Sequence, residues 1–369
     1  MKNKDKKVRP KKVKVRRKDK FKAIKKAIVP AYIAPQFIEK KYGIKRVSES
    51  GVFVLEEHLA NKFYTVNCQD MKDKQAVFDV LRSYDFQYRF YYYKTDTYLL
   101  IQINTDENQD ASFDFDAIEK AMFDKLAGLG IDLTPVNLED RLRHIHQFII
   151  KDKPDSNNNI MDYVHNVAAW KLDFELDDFV LNMDSLEVAD KAYRAFYFIR
   201  FGDDVTEMLQ ELYKIENVEC IMVEQDGISD SYLFEFFNNN YMGCNNELRK
   251  LKKTDPALNE ILTDPAMRDT RSYSMVGINV LYSVVGSGSD EIDTVKEKIK
   301  FIIDRYDAAV YDYSGMMAAG FLEFAPFGIW NVSESRIVKN AESYKCLLFN
   351  CCDVSDVSKA NVEINKFFM

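Results

Sequence analysis

The sequence predicts a mixed α/β (α+β) fold made of two successive α/β subdomains, the second ferredoxin-like (βαββαβ) with a long helical insertion. Three observations lead there. Strand-period and helix-period apolar patterns alternate along the chain. Tyr (21) and Phe (26) are abundant while Gly (13) and Pro (8) are sparse, which favours long regular elements over a turn-rich all-β fold. From residue 193 onward the order reads strand, helix, strand, then strand, helix, strand, a split pair of βαβ units around one long interruption.

The elements follow in order. "GVFVLEE" and "KFYTVNC" read as two short strands, and a helix is expected from about Lys72 to Ser83. "FQYRFYYY" and "TYLLIQIN" read as a hairpin turning at Lys94 to Asp96. In the segment Phe113 to Leu126, Phe115, Ile118, Met122, Phe123 and Leu126 recur at helical spacing. A further helix, Leu138 to Ile150, follows Pro135, and "DKPDSNNN" then breaks the chain. Leu172, Phe174 and Leu176 alternate with Asp173, Glu175 and Asp177, the pattern of a half-buried strand with one acidic face. A boundary at about residue 191 separates a first subdomain (30–190) from a second (191–369). The second comprises a strand (193–201), helix (203–214), strand (217–224), helical insertion (about 230–268), strand (272–285), helix (290–306) and strand (308–313). "KCLLFN" is expected as one more strand.

With 47% hydrophobic and 30% charged residues the body can bury a sizeable core. Its net charge of −8 hides an asymmetry. Residues 1–26 hold 15 Lys/Arg and only Asp5 and Asp19, a net +13, while the remainder sets 36 Lys/Arg against 57 Asp/Glu, a net −21. The arm, residues 1–29, has too few apolar side chains to pack and is expected to be solvated in isolation. Its Lys11, Lys12, Lys14, Arg16, Arg17, Lys18 and Lys20 are the candidate residues for binding an anionic surface. Anionic lipid and nucleic acid both fit, as does an acidic protein surface; a solubilising tail is the plain alternative.

Candidate chemistry is sparse. "VVGSGSDE" (284–291) stands where a nucleotide-binding turn would, between an apolar run and a helical pattern. A P-loop, however, needs a Lys where Asp290 and Glu291 place carboxylates that repel phosphate, and a dinucleotide turn needs a glycine at Glu291. The loop therefore reads as a helix start, with Ser289 or Asp290 as cap and Ile292, Val295, Ile299, Ile302 and Tyr306 as the buried stripe. His144 and His146 lie about 200° apart on a helix, unsuited to one metal, and His58 lacks the second histidine of HExxH. Cys68, Cys220, Cys244, Cys346, Cys351 and Cys352 form no CxxC pair and read as reduced thiols. An acidic site over Asp173 to Glu187 is the one enzymatic alternative. No catalytic, cofactor or metal residues are assigned. The charged opening, with no apolar segment directly after it, predicts no signal peptide.

Several phrases resemble the N-terminal domain of the large ATPase of conjugation and type IV secretion machines, the CagE/TrbE/VirB family, in the variety carried by mobile elements of Gram-positive bacteria. They are "KKYGIKRVSESGVFVLEEHLANKFYTV", "EDRLRHIHQFI", "DKAYRAFYFIRFGDDVTEMLQEL" and the long stretch from Asp264 to Val332. "FAPFG" (324–328) stands where the family turns into its motor. The Walker A and Walker B motor would follow there, whereas the sequence ends at Met369, so no catalytic residue is carried over. The resemblance implies a non-catalytic docking or assembly subunit without cofactor, in the cytoplasm and peripheral at the inner face of the membrane. Its implied partners are channel subunits and a separate motor ATPase, with an oligomeric state. A nucleic-acid-binding accessory of the same mobile element, using the basic arm, is the second expectation.

Overall fold

The computed structural model describes residues 46–348 except 56–58, 69–70, 72, 85, 106–110, 151–178, 189, 203, 228–272, 287–288, 327–335 and 340–343. The basic arm, the insertion expected over about 230–268, the acidic strand expected at 172–177 and Cys351–Cys352 lie outside the described residues.

The fold is α+β. A hairpin of β1 (Arg46–Val47) and β2 (Phe53–Val54) leads into β3 (Leu59–Cys68), α1 (Lys74–Arg82), β4 (Gln87–Tyr93), β5 (Thr97–Asn104), α2 (Ala111–Gly128), β6 (Ile131–Pro135) and α3 (Leu138–Ile150). A second hairpin, β7 (Phe179–Leu181) and β8 (Leu186–Val188), precedes β9 (Lys191–Arg200), α4 (Thr206–Lys214), β10 (Val218–Gly227), β11 (Tyr273–Val285), α5 (Ser289–Arg305), β12 (Ala309–Asp312) and α6 (Met317–Glu323). The strand β13 (Arg336–Lys339) and a 3₁₀ turn, Tyr344–Cys346, follow.

These two runs are the same unit twice. In the first, β6 and β2 share one edge of β3, and β5 and then β4 follow on its other side. In the second, β12 and β8 share one edge of β9, and β11 and then β10 follow. The likeness extends to single hydrogen bonds. Val136 N–H donates to Phe63 O (2.9 Å) as Tyr313 N–H does to Ala195 O (3.1 Å). Leu138 N–H reaches back to Glu49 O in the first hairpin (3.2 Å), and Gly315 N–H to Met183 O in the second (2.6 Å). The third helix of each run docks just after these contacts. Each long helix ends on a left-handed residue, Gly130 (φ 85°) before β6 and Asp307 (φ 50°) before β12, a conformation that Gly adopts freely and Asp tolerates.

The units join edge to edge. β4 pairs antiparallel with β10, so one sheet runs through both. Strand alternation then sorts the side chains onto two faces. Tyr88, Phe90 and Tyr92 point into the core beneath α1, α2, α4 and α5, with Phe115, Met122 and Leu126 answered by Ile292, Ile299 and Ile303. Tyr91, Met222 and Leu281 point to the other face, under α3 and α6. Arg141 ties α3 down: its buried guanidinium donates to Gly51 O (2.8 Å), Pro326 O (2.9 Å) and Asn61 Oδ1 (2.6 Å). At the junction Arg89 of β4 faces Glu224 of β10, a buried ion pair of 2.7 Å across the seam.

Several features depart from the sequence expectation, among them α6 and β13, which it does not contain. β6 was not expected, because "IDLTP" is short, ends in Pro and alternates only weakly. The hairpin β7–β8 hydrogen-bonds to β9 and so packs with the second unit. "KCLLFN" does not open as a strand. Tyr344–Cys346 is a 3₁₀ turn, and Cys346, Leu347 and Leu348 fill the groove between α1 and α4, where Lys74 Nζ donates to Leu347 O (2.8 Å) and Thr206 Oγ1 to Lys345 O (2.8 Å). Three consecutive buried residues can serve a plug as well as a strand, and here both sheet faces are already covered.

Candidate functional site

The β4–β5 turn forms one wall of a cleft of 280 Å³ on the α3 face, with Phe63, Tyr98, His144, Phe148, Glu219 and Pro326 completing it. The turn is tight because Tyr93 N–H donates to Asp96 O (3.0 Å), leaving Lys94 and Thr95 at its tip. Lys94 turns back over the Tyr213 ring, 4.5 Å from its centroid, and donates to Tyr213 O. Tyr213 Oη in turn donates to Tyr93 O (2.7 Å), locking β4 to α4 of the other unit. Burial pushes the Lys94 ammonium down to about 8, against the pull of Glu219 and Glu216.

Across the cleft, α3 brings His144 to Tyr98. Nε2 lies 3.4 Å from the phenol oxygen, and the rings meet edge to face at 5.2 Å. Burial lowers the His144 pKa, opposed by Asp140 and Asp96, and burial raises that of Tyr98. Phe148, one turn further on, stacks on Phe321 of α6 at 4.7 Å, so aromatic contact between α3 and α6 closes the floor. Glu219 is held by Lys191 (2.6 Å) and Ser283. The arrangement is an aromatic-walled cleft with one lysine whose charge is sensitive to mildly alkaline pH. It can hold a small polar group. The Tyr98–His144 pair could pass a proton, and Lys94 lines the same cleft.

The residues singled out in the sequence are scattered. The arm lysines and arginines, His58 and Cys244 lie outside the described residues. His144 is in the cleft, and its neighbour His146 follows on the same helix. Asp184 pairs with Arg194 (2.9 Å) and Glu187 accepts from Asn182 (2.9 Å), so the described part of the acidic stretch supports its own hairpin. In "VVGSGSDE", Gly286 takes φ 87° and donates to Asp190 O (2.5 Å), which turns the chain into α5. Ile292, Val295, Ile299 and Ile302 are buried beneath it as expected, and Tyr306 is half-buried. Among the described residues no cluster of His, Cys, Asp and Glu could hold a metal ion. No helix among them is long and apolar enough to cross a membrane. The cleft itself had no sequence signal beyond His144, since Lys94, Tyr98 and Glu219 are drawn together only by pairing across the two units.

No family model matches the chain, and no curated protein matches it. Among solved structures, the Bermuda grass pollen isoallergen BG60 aligns at 11% identity over 68% of this chain and 41% of its own, with a TM-score of 0.28. A berberine bridge enzyme variant described as a reticuline dehydrogenase aligns at 8% identity over 69% and 42%, with a TM-score of 0.29. A chitooligosaccharide oxidase aligns at 8% over 84% and 53%, with a TM-score of 0.26. The chain spans about two-fifths to half the length of these proteins, and similarity at that level carries no argument about its activity.

Proposed function

We propose that the chain is a non-catalytic docking and assembly subunit of a conjugative transfer (type IV secretion) apparatus, peripheral at the cytoplasmic face of the membrane. One observation carries the reading. The phrases that resemble the CagE/TrbE/VirB ATPase N-terminal domain fall on successive elements of both units: β1 to β3, then α3, then β9 into α4, then β11, α5, β12 and α6. We read each unit as a ferredoxin-like sandwich extended by a hairpin and a third helix, joined to its twin through β4 and β10. The partners are channel subunits and a motor ATPase.

The arm supplies the membrane contact. A net +13 within 26 residues is attracted to anionic lipid by roughly 1 kcal/mol per basic residue near the surface. The same charge favours a second reading, a nucleic-acid-binding accessory whose affinity falls steeply with salt. The test titrates phosphatidylserine-containing vesicles and duplex DNA against the full chain and a chain beginning at residue 30. Vesicle binding that needs the arm, exceeding DNA binding at physiological salt, supports the membrane role. DNA binding that dominates at the same salt supports the second reading. Equal binding by both chains contradicts either role for the arm.

A further inference from the structure

The repeat provides an internal control for reading the surface. The large apolar side chains left exposed among the described residues, Val180, Met183, Ile199, Val285, Phe301, Tyr311 and Met316, all lie in the second unit. Superposing the two units by their shared hydrogen bonds and strand registers pairs Met183 with Glu49, Ile199 with Asn67, Tyr311 with Thr134 and Met316 with Glu139. Those four counterparts are exposed and polar. One backbone thus carries two surfaces, and the fold does not require the apolar one.

The apolar set centres on the corner where β12 runs into α6. Tyr311 (59% exposed) stacks on Tyr197 of β9, two residues before Ile199 on the same face. Met183 (78%) and Met316 (41%) meet at the Gly315–Met183 hydrogen bond. Among the described residues no strand pairs with the outer edge of β12. An open strand edge flanked by apolar side chains accepts an added strand, with main-chain bonds giving affinity and alternate side chains giving fit.

We propose that this edge is occupied by the chain's own basic arm, with Lys12–Arg16 added as a strand beside β12. The segment reads Lys-Val-Lys-Val-Arg, so Val13 and Val15 fall on one face and Lys12, Lys14 and Arg16 on the other. The valines lie beside Tyr311, on the α6 face. The basic side chains lie on the opposite face, where Asp312 already attracts Lys296 (2.5 Å). Charge matches on the larger scale too, since residues 179–326 carry 26 Asp/Glu against 14 Lys/Arg. The reach is sufficient: β12 lies about eight strand spacings from β1, roughly 40 Å, while residues 17–45 extend to about 100 Å. The proposal does not rest on the secretion reading. Docking would set aside the basic segment until an anionic surface competes for it.

The test places the photocrosslinking residue p-benzoylphenylalanine at position 311 of the full chain, and at the equivalent position 134 in a second preparation. Mass spectrometry maps the products at low protein concentration. The proposal expects crosslinks from 311 to residues 8–29 within single chains, about tenfold above those from 134, falling as salt rises. Arm crosslinks equal at the two positions, products joining two copies, or products at 311 that omit the arm would each overturn it. In a further full-chain variant, Tyr311→Ser with Met316→Gln, tryptic cleavage inside residues 11–20 should quicken about tenfold, whereas Thr134→Val with Glu139→Gln should leave it unchanged. An unchanged rate in the first variant contradicts the proposal.

Discussion

The two units share a backbone and differ in what they do with it. In the first, Thr134 and Glu139 face solvent where the second has Tyr311 and Met316; its β4–β5 connection is a tight turn with Lys94 at the tip, where the second spends residues 228–272 between β10 and β11. Even the buried cation of the central strand is kept, with the partner moved by one turn: Lys62 meets Glu119 of α2 at 2.5 Å, and Arg194 meets Asp293 of α5 at 2.5 Å. Hydrogen-bond register is held in common, while the outer edge and the hairpin connection are where the halves diverge.

The sharpest way to break the pair is at the seam. Arg89→Ala strands the Glu224 carboxylate in a buried sheet and is expected to cost about 3–5 kcal/mol, read from urea unfolding. Replacing both with Met should recover most of that loss; a double variant as unstable as the single would contradict the seam as drawn. Next in size is Gly277, on β11 opposite Glu224, where an added Cβ would come within 2.4 Å of the carboxylate. Gly277→Ala is expected to cost about 1–3 kcal/mol by overpacking, and a shift in denaturation midpoint near zero would contradict that contact.

A smaller pair sharpens the equivalence itself. Asp73 accepts from Gln75 N–H (2.9 Å) at the start of α1, and Asp204 accepts from Thr206 N–H (3.2 Å) at the start of α4. Asp73→Ala and Asp204→Ala should each cost about 1 kcal/mol, and a cost near zero for either would remove its carboxylate as a partner of the helix start. Asp204 also interacts with Lys345 at 3.6 Å, so its loss should be the larger of the two.

The smallest effect concerns the cleft. Lys94 titrates at about 8 in the folded chain against 10.5 unfolded. Its charged form is disfavoured by folding, so the penalty is complete below about pH 8 and disappears as pH rises towards 10.5. Lys94→Met should therefore flatten the rise in stability across that window relative to the parent chain. Parallel pH profiles for the two proteins would remove Lys94 as its cause.

Much of each unit is legible in the sequence. The amphipathic spacing of Phe115, Met122 and Leu126 and of Ile292, Val295 and Ile299 marks the long helices, because one apolar face must meet the sheet. Strands such as "FQYRFYYY" declare themselves by aromatic content, although both of their faces are buried. What hid the repeat was β6. Without "IDLTP" as a strand the first unit lacks its last strand, and β3 and β9 match in chemistry at few positions: Lys62 corresponds to Arg194, but Asn61 corresponds to Tyr193. The cleft was hidden for a different reason: Lys94 reaches Tyr213 and Tyr98 reaches His144 only after strand order and helix docking are set, and no local periodicity encodes either contact.

Hydrogen exchange of the full chain tests the continuous two-unit sheet most directly. If β4 and β10 are joined along Tyr88 to Tyr93 and Cys220 to Gln225, amides of both strands should fall in the slowest class and exchange in one cooperative step, and Arg89→Ala should release them together. Fast exchange along β10 while β4 stays protected, or two separate steps for the two units, would contradict the seam and with it the account of one sheet built from a duplicated unit.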